Sequence, residues 1–216
     1  MDGFALRCLA MALMLTDHIG AVFFPQLLIL RLIGRWAFPL YAFLAADGAA
    51  HTHSGGRYVG RLLLAALVSE IPFRLAFSVP FSEFGCPSVL FTLAAGVSAC
   101  LLFRYRKPGW AAAGSLVLLA AAQLLGTDYG AYGAALVLVF YLLRERPAGQ
   151  AAAGSALTVG YSLLFRAPLQ MFALPALTVG MFANGKRGRD ARLWFYAFYP
   201  GHLLVLWGLR ALIYGF

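Results

Sequence analysis

The chain alternates long apolar runs with short polar breaks. The runs occupy residues 4–24, 27–46, 58–78, 87–103, 110–126, 129–143, 151–165, 168–183 and 194–214. Runs of this kind read as helices that cross most of a bilayer, where each backbone N–H and C=O has to be satisfied within its own segment. Several in the second half hold only about 15 residues, against the ~20 of a full crossing. The pattern therefore predicts an all-α fold, a polytopic helical membrane protein of about nine transmembrane helices (range 8–10), in a single domain over 1–216.

The breaks fall into two alternating sets. One is basic: Arg57 with Arg61, Arg104-Tyr-Arg-Lys107, Arg144-Glu-Arg146, and Lys186-Arg-Gly-Arg189 with Arg192. The other, at Pro25-Gln26, 79–86, Gly126-Thr-Asp-Tyr-Gly130 and Arg166-Ala-Pro168, holds one basic residue. The basic set shares one side only if all nine runs cross. Loops rich in Lys and Arg stay in the cytoplasm, so the N-terminus is expected inside and Phe216 outside.

Composition agrees. The 216 residues are 62% hydrophobic and 12% charged, with a mean hydropathy of +0.80; a soluble domain carries roughly 25% charge. The net charge of +9 reads as topology determinants in loops, and no nucleic-acid partner is expected. Cys8, Cys86 and Cys100 lack metal-ligand spacing, so neither a disulfide nor a metal is predicted. The first run carries Asp17 and His18 at its far end with no cleavage site behind them, and reads as a retained helix. Gly, Ala and Ser crowd 111–135 and 151–160, where small residues let helices approach closely in lipid.

Against this background the polar residues inside the runs stand out, because ionisable groups in a membrane helix face a protein interior or a wet cavity. Arg7 and His18 are eleven residues apart, nearly three turns, so they share a face about 16 Å apart along the axis. His18 is a candidate general base, with Asp17 to orient it or to pair elsewhere. Arg31 and Arg35, spaced i, i+4, need anions: Asp17, or a carboxylate or phosphate of a ligand. Asp47, His51, Thr52, His53 and Arg57 gather at the cytoplasmic end of the second run, as a ligand gate or a solvated loop. Glu70 and Arg74 read as an i, i+4 ion pair beside Pro72. Asp128 lies in an outer break, and Tyr199-Pro-Gly-His202 loosens the last run where a second histidine enters it.

Taken in order, Asp17-His18-Ile-Gly20, Arg31-x-Ile-Gly-Arg35, Phe38-Pro-Leu-Tyr-Ala-Phe43, Asp47-Gly-x-x-His-Thr52, Arg61 with Ser69-Glu-Ile-Pro-Phe73, Phe91-Thr-Leu93, Asp128-Tyr-Gly130 and Tyr196-x-Phe-Tyr-Pro-x-His-Leu203 resemble the TraX family over nearly the whole chain. These are polytopic membrane proteins named for N-terminal acetylation of conjugative pilin. Arg7-x10-His18 also looks like the first-helix pattern of acyltransferase-3-type membrane enzymes. Asp47 stands where TraX relatives commonly have Glu, and Ser88 where they often have Asn.

The resemblance implies a bacterial inner-membrane acyltransferase. It takes an acetyl group from cytosolic acetyl-CoA to an amine or hydroxyl of a peptide, a glycan or a small molecule. His18 and Asp17 are then catalytic. Arg7, Arg57 and Arg61 are placed for CoA phosphates, and Arg31 and Arg35 for an acceptor carboxylate or the oxyanion. Asp47, His51, Thr52, Tyr199 and His202 complete the binding set. The alternatives are a proton-coupled transporter of a small anion, using the same arginines, and a non-catalytic assembly protein whose polar groups only hold helices together.

Overall fold

A computed structural model describes residues 1–85, 88–189 and 192–215, with the side chains of 192 and 193 left out. Cys86, the Arg192 side chain and Phe216 lie outside the described residues. The described residues form ten α-helices and one 3-10 segment, and no strand appears among them. Helix α1 spans Gly3–Phe23, α2 Leu28–Gly34, α3 Ala37–His51, α4 Gly55–Phe77 and α5 Val89–Tyr105. Then come α6 Pro108–Leu124, α7 Gly130–Leu142, α8 Pro147–Leu164, the 3-10 segment Pro168–Thr178, α9 Val179–Phe182 and α10 Arg192–Tyr214.

Local sequence explains the boundaries. Asp2 caps α1, its carboxylate accepting the Ala5 N–H at 2.8 Å. Pro108 and Pro147 open α6 and α8 at the first turn, where a missing N–H costs nothing. Helix α4 stops where Ser78 turns left-handed at φ 54°. Two runs differ from the sequence expectation. The run 27–46 is not one helix: it breaks at Arg35–Trp36, and α3 continues to His51, so Asp47 and His51 sit in a helix. The run 168–183 is mostly 3-10, because Pro168 and Pro175 cannot donate to the α-helical ladder.

Helix α3 forms the centre. Its Ala42, Ala45, Ala46 and Ala49 are buried, and it packs on α1, α5, α7 and the 3-10 segment. Helices α4 and α10 lie together on one flank. Helices α1 and α2 form a tight hairpin because two glycines allow it. A Cβ on Gly34 would stand 2.3 Å from the Asp17 side chain, and one on Gly20 2.7 Å from Leu30 Cβ. The chain start is tied to a segment far along the sequence: the Met1 amine donates to the Phe182 carbonyl, and the Gly3 N–H to the Lys186 carbonyl at 2.7 Å.

Among the described residues, two stretches are long and apolar enough to cross a membrane, Gly3–Phe23 and Leu28–His51. Val89–Tyr105, Pro108–Leu124, Gly130–Leu142 and Pro168–Phe182 are apolar but shorter. The outer faces are strongly apolar: Leu64, Leu67, Val68 and Ile71 on α4, Leu116 and Val117 on α6, and Leu212 on α10 are all exposed. Helix faces with this many exposed large apolar side chains mark a surface that meets something other than water.

Candidate functional site

The α1–α2 hairpin brings the charged residues of the first runs together. Arg35 follows the last residue of α2 but keeps helical dihedrals, φ −57° and ψ −21°, so it shares a face with Arg31. Both guanidiniums close on Asp17. Arg31 Nη1 donates to Oδ2 at 2.6 Å and to the Asp17 carbonyl at 3.2 Å; Arg35 Nη2 donates to Oδ1 at 2.9 Å and Oδ2 at 3.0 Å. Two cations on one carboxylate leave a positive excess. Gly34 makes the approach possible, since any side chain there would occupy the space of Asp17.

Beside this cluster lies a cavity of about 270 Å³. Asp17, His18, Arg31 and Arg35 line it, with Tyr41, Asp128, Tyr129 and Tyr199 and the apolar walls Phe38, Phe73, Phe77 and Val89. Phe38 stacks on Tyr129, ring centroids 3.7 Å apart. The loop that carries Asp128 and Tyr129 is pinned by Thr92, whose hydroxyl donates to Thr127 Oγ1 at 2.9 Å and accepts the Tyr129 N–H at 3.4 Å. Phe91-Thr-Leu93 thereby acts as an anchor for the cavity wall.

Asp128 lines the cavity and keeps an exposed side chain, within electrostatic reach of Arg35, Asp17 and Arg31. Desolvation against the cavity wall pushes its carboxyl up to about 6, against the opposing pull of Arg35.

His18 faces this cavity but is not partnered by Asp17, as adjacent helical residues point about 100° apart. Of the two expectations for Asp17, orienting the imidazole or pairing elsewhere, the geometry shows the second: its carboxylate is taken up by Arg31 and Arg35. The partner of His18 is His202 of α10, with His18 Nδ1 2.8 Å from His202 Nε2. The other nitrogen of His202, Nδ1, stands 2.8 Å from the Phe198 carbonyl. Phe77 packs edge-on against His18, and Phe198 stacks on His202. Tyr199, 5% exposed, brings α10 to the cavity wall.

Glu70 and Arg74 form the expected pair at 2.7 Å. Arg74 also donates to the carbonyls of Pro80, Glu83 and Gly85, so it moulds the 78–85 loop, whose Val79 reaches the cavity.

The remaining predicted residues lie elsewhere. Arg7, Asp47, His51, Thr52, Arg57 and Arg61 do not line the cavity. Arg7 lies over the Phe195 ring at 5.5 Å, and Arg61 over Tyr58 at 5.9 Å. Asp47 and His51 pair at 3.1 Å on an exposed stretch of α3, and the Thr52 hydroxyl donates to the Ser54 carbonyl. The Tyr58 hydroxyl faces the Ala45 carbonyl of α3 at 3.5 Å. Arg104 closes α3, donating to the carbonyls of Ala49, Ala50 and Thr52. Tyr41 and Tyr129 stand in the motifs Phe38-Pro-Leu-Tyr-Ala-Phe43 and Asp128-Tyr-Gly130 without a site role expected of them, and Tyr58 has no sequence signal beyond its place beside Arg57.

The ordered motifs of α1, α2 and α10 thus converge on one cavity, and comparison with known proteins agrees with that order. The family described as TraX protein matches residues 3–210. This chain belongs to the TraX family. It is 28% identical over 234 residues to a probable fimbrial assembly protein FimC, serogroup H1, of Dichelobacter nodosus, covering 95% of this chain and 94% of that one. It is 29% identical over 220 residues to Protein TraX of Escherichia coli, covering 96% and 86%. No solved structure matches it. The TraX match runs through both ends of the cavity, from α1 to α10.

Proposed function

We propose that this TraX protein is a multi-pass enzyme of the bacterial inner membrane that moves an acetyl group from cytosolic acetyl-CoA to an amine or hydroxyl. The acceptor is a peptide N-terminus, a glycan or a small molecule reached from the side of the cavity. The nine helical runs cross the bilayer, with the basic loops in the cytoplasm. The tie between Gly3 and Lys186 supports this by holding the chain start beside a basic loop.

One observation carries the reading: an imidazole and two guanidiniums share a cavity inside an otherwise apolar bundle. His18 takes the proton of the acceptor N–H or O–H as the acceptor atom bonds to the acyl carbon. Arg31 and Arg35 stabilise the negative charge that develops on the acyl oxygen, a contribution that grows in a site shielded from water. His18 then gives its proton to the departing sulfur as the C–S bond breaks. Acetyl-CoA supplies the thioester; Arg7, Arg57 and Arg61, at the basic end, are the side chains suited to its phosphates.

The test is acetyl-CoA turnover by the purified protein in liposomes, read as free thiol release with a peptide amine as acceptor. Release that is abolished by His18→Gln supports the reading. A protein that neither binds nor consumes acetyl-CoA refutes it. That outcome would favour a non-catalytic assembly role, for which the observation is that Asp17 ties α1 to Arg31 and Arg35, and Arg74, paired with Glu70, ties α4 to the 78–85 loop.

A further inference from the structure

The His18–His202 contact specifies more than proximity. A carbonyl oxygen only accepts, so His202 Nδ1, at 2.8 Å from the Phe198 carbonyl, carries a proton. A neutral imidazole has one N–H, and His202 Nε2 is therefore a bare acceptor. It faces His18 Nδ1 at 2.8 Å, and that contact is a hydrogen bond only if His18 holds its proton on Nδ1. The chain of donors runs from His18 Nδ1 to His202 Nε2, and from His202 Nδ1 to Phe198. Its end is fixed by the backbone of α10.

The consequence falls on His18 Nε2, which is left with its lone pair. Among the described residues no other group hydrogen-bonds the His18 ring. The two rings lie edge to edge and nearly coplanar, their planes within 9° and centroids 5.0 Å apart, as an in-plane N–H···N bond requires; Phe77 stands edge-on against His18 and Phe198 stacks on His202. We propose that His202 is a positioning residue that fixes the tautomer of His18, so that Nε2 is the nitrogen offered to the acceptor. This takes the place that a carboxylate holds in other base pairs, and it uses a neutral partner. The inference rests on His18 being the base. When Nε2 takes the acceptor proton, His18 keeps its Nδ1–H bond to His202, and the same proton leaves with the thiolate; nothing else is consumed.

The experiment has two arms. The first is nitrogen NMR of the full-length protein in detergent with 15N-labelled histidine, of which the chain has four, His18 being assigned by His18→Gln. The expected result is His18 protonated at Nδ1 and bare at Nε2; a proton on Nε2 overturns the inference. The second is turnover against pH for three variants at 202. His202→Gln keeps an acceptor and retains turnover within about tenfold. His202→Lys can only donate, which forces the wrong tautomer and loses roughly 10²–10⁴-fold, the usual weight of a general base. His202→Glu is an anionic acceptor that favours the imidazolium, so the acid limb of the profile moves to higher pH. Asp17, Arg31, Arg35, Tyr41, Asp128, Tyr129 and Tyr199, the other titratable or charged groups around the cavity, are the same in all three, so the movement reports residue 202. Equal turnover in the Lys and Gln variants overturns the positioning role. Full turnover in His18→Gln instead overturns the base itself, while the NMR arm still reads the tautomer.

Discussion

Asp17→Asn is the change that weighs the polar cluster. The carboxylate accepts from two guanidiniums through three side-chain contacts, 2.6, 2.9 and 3.0 Å. An amide keeps one oxygen and turns an NH2 toward donors, so at least one guanidinium loses its acceptor. Breaking a buried ion pair by removing one member costs about 3–5 kcal/mol. The side chains here are 11% exposed for Asp17, 18% for Arg35 and 29% for Arg31. Solvent in the cavity and the nearby Asp128 both soften the loss, so the expected cost is about 2–3 kcal/mol.

For a protein of this size that corresponds to a fall in melting temperature of roughly 4–12 °C. Thermal unfolding of the detergent-solubilised protein measures it. Arg35→Gln in the same background completes a double-mutant cycle, and partners in contact should couple by about 0.5–3 kcal/mol. A fall below about 1 °C, or additive losses in the cycle, would show that Asp17 is not what holds the arginines.

Three further outcomes follow from the same structure. Gly34→Ala places a methyl 2.3 Å from Asp17 and should cost about 1–3 kcal/mol by overpacking, whereas Gly60→Ala, inside α4 with open space around it, should hold or raise the melting temperature, since Ala is favoured over Gly in a helix interior; equal falls refute the close approach. Asp128, pushed from 3.8 to about 6 by desolvation, binds its proton more tightly in the folded state, so it contributes stability at low pH that is lost as pH rises through that window. Asp128→Asn should therefore gain on the wild type between pH 4 and 6.5 and hold the gain above it, and a difference independent of pH contradicts the shift. In a background with Cys8, Cys86 and Cys100 replaced, Lys107→Cys should label from the cytoplasm and Gly126→Cys from outside; labelling from one side breaks the nine-crossing topology.

The helices were legible in the sequence because their signal is local. Each apolar run except 27–46 and 168–183 holds one α-helix, and most boundaries follow Pro, Gly and the charged breaks. The Arg31–Arg35 pairing with Asp17 was legible too, since two cations at i, i+4 in an apolar run need an anion and few are at hand. What the sequence withheld was long-range. His18 and His202 are 184 positions apart, and nothing in the spacing of either reveals that α10 lies against α1. The break at Arg35–Trp36 was hidden by a continuous apolar run that contains no proline at that point. Asp128 and Tyr129 read as an outer loop, and only the Thr92 anchor shows that the loop folds back over the cavity.

The geometry also divides the proposed chemistry between two ends of α1, which makes binding and catalysis separable. The cavity lining reaches down α1 only to Met14. Between there and Arg7 lie Leu13 and Ala10, both buried in the core. Arg7 is about 16 Å from His18 along the helix, packed on Phe195 rather than open to the cavity. On the proposed reading, a CoA held by its phosphates at Arg7 would draw its binding energy from the basic end, and the thioester would draw its reactivity from His18. Ligand that binds only the folded protein raises the melting temperature by mass action. Arg7→Glu should abolish the rise given by acetyl-CoA, because it replaces a phosphate partner with a like charge. His18→Gln should keep the rise and lose turnover, since a base acts mainly on the chemical step. A thermal shift that survives Arg7→Glu removes Arg7 from the CoA site, and one that disappears in His18→Gln shows that binding and chemistry are not divided along α1.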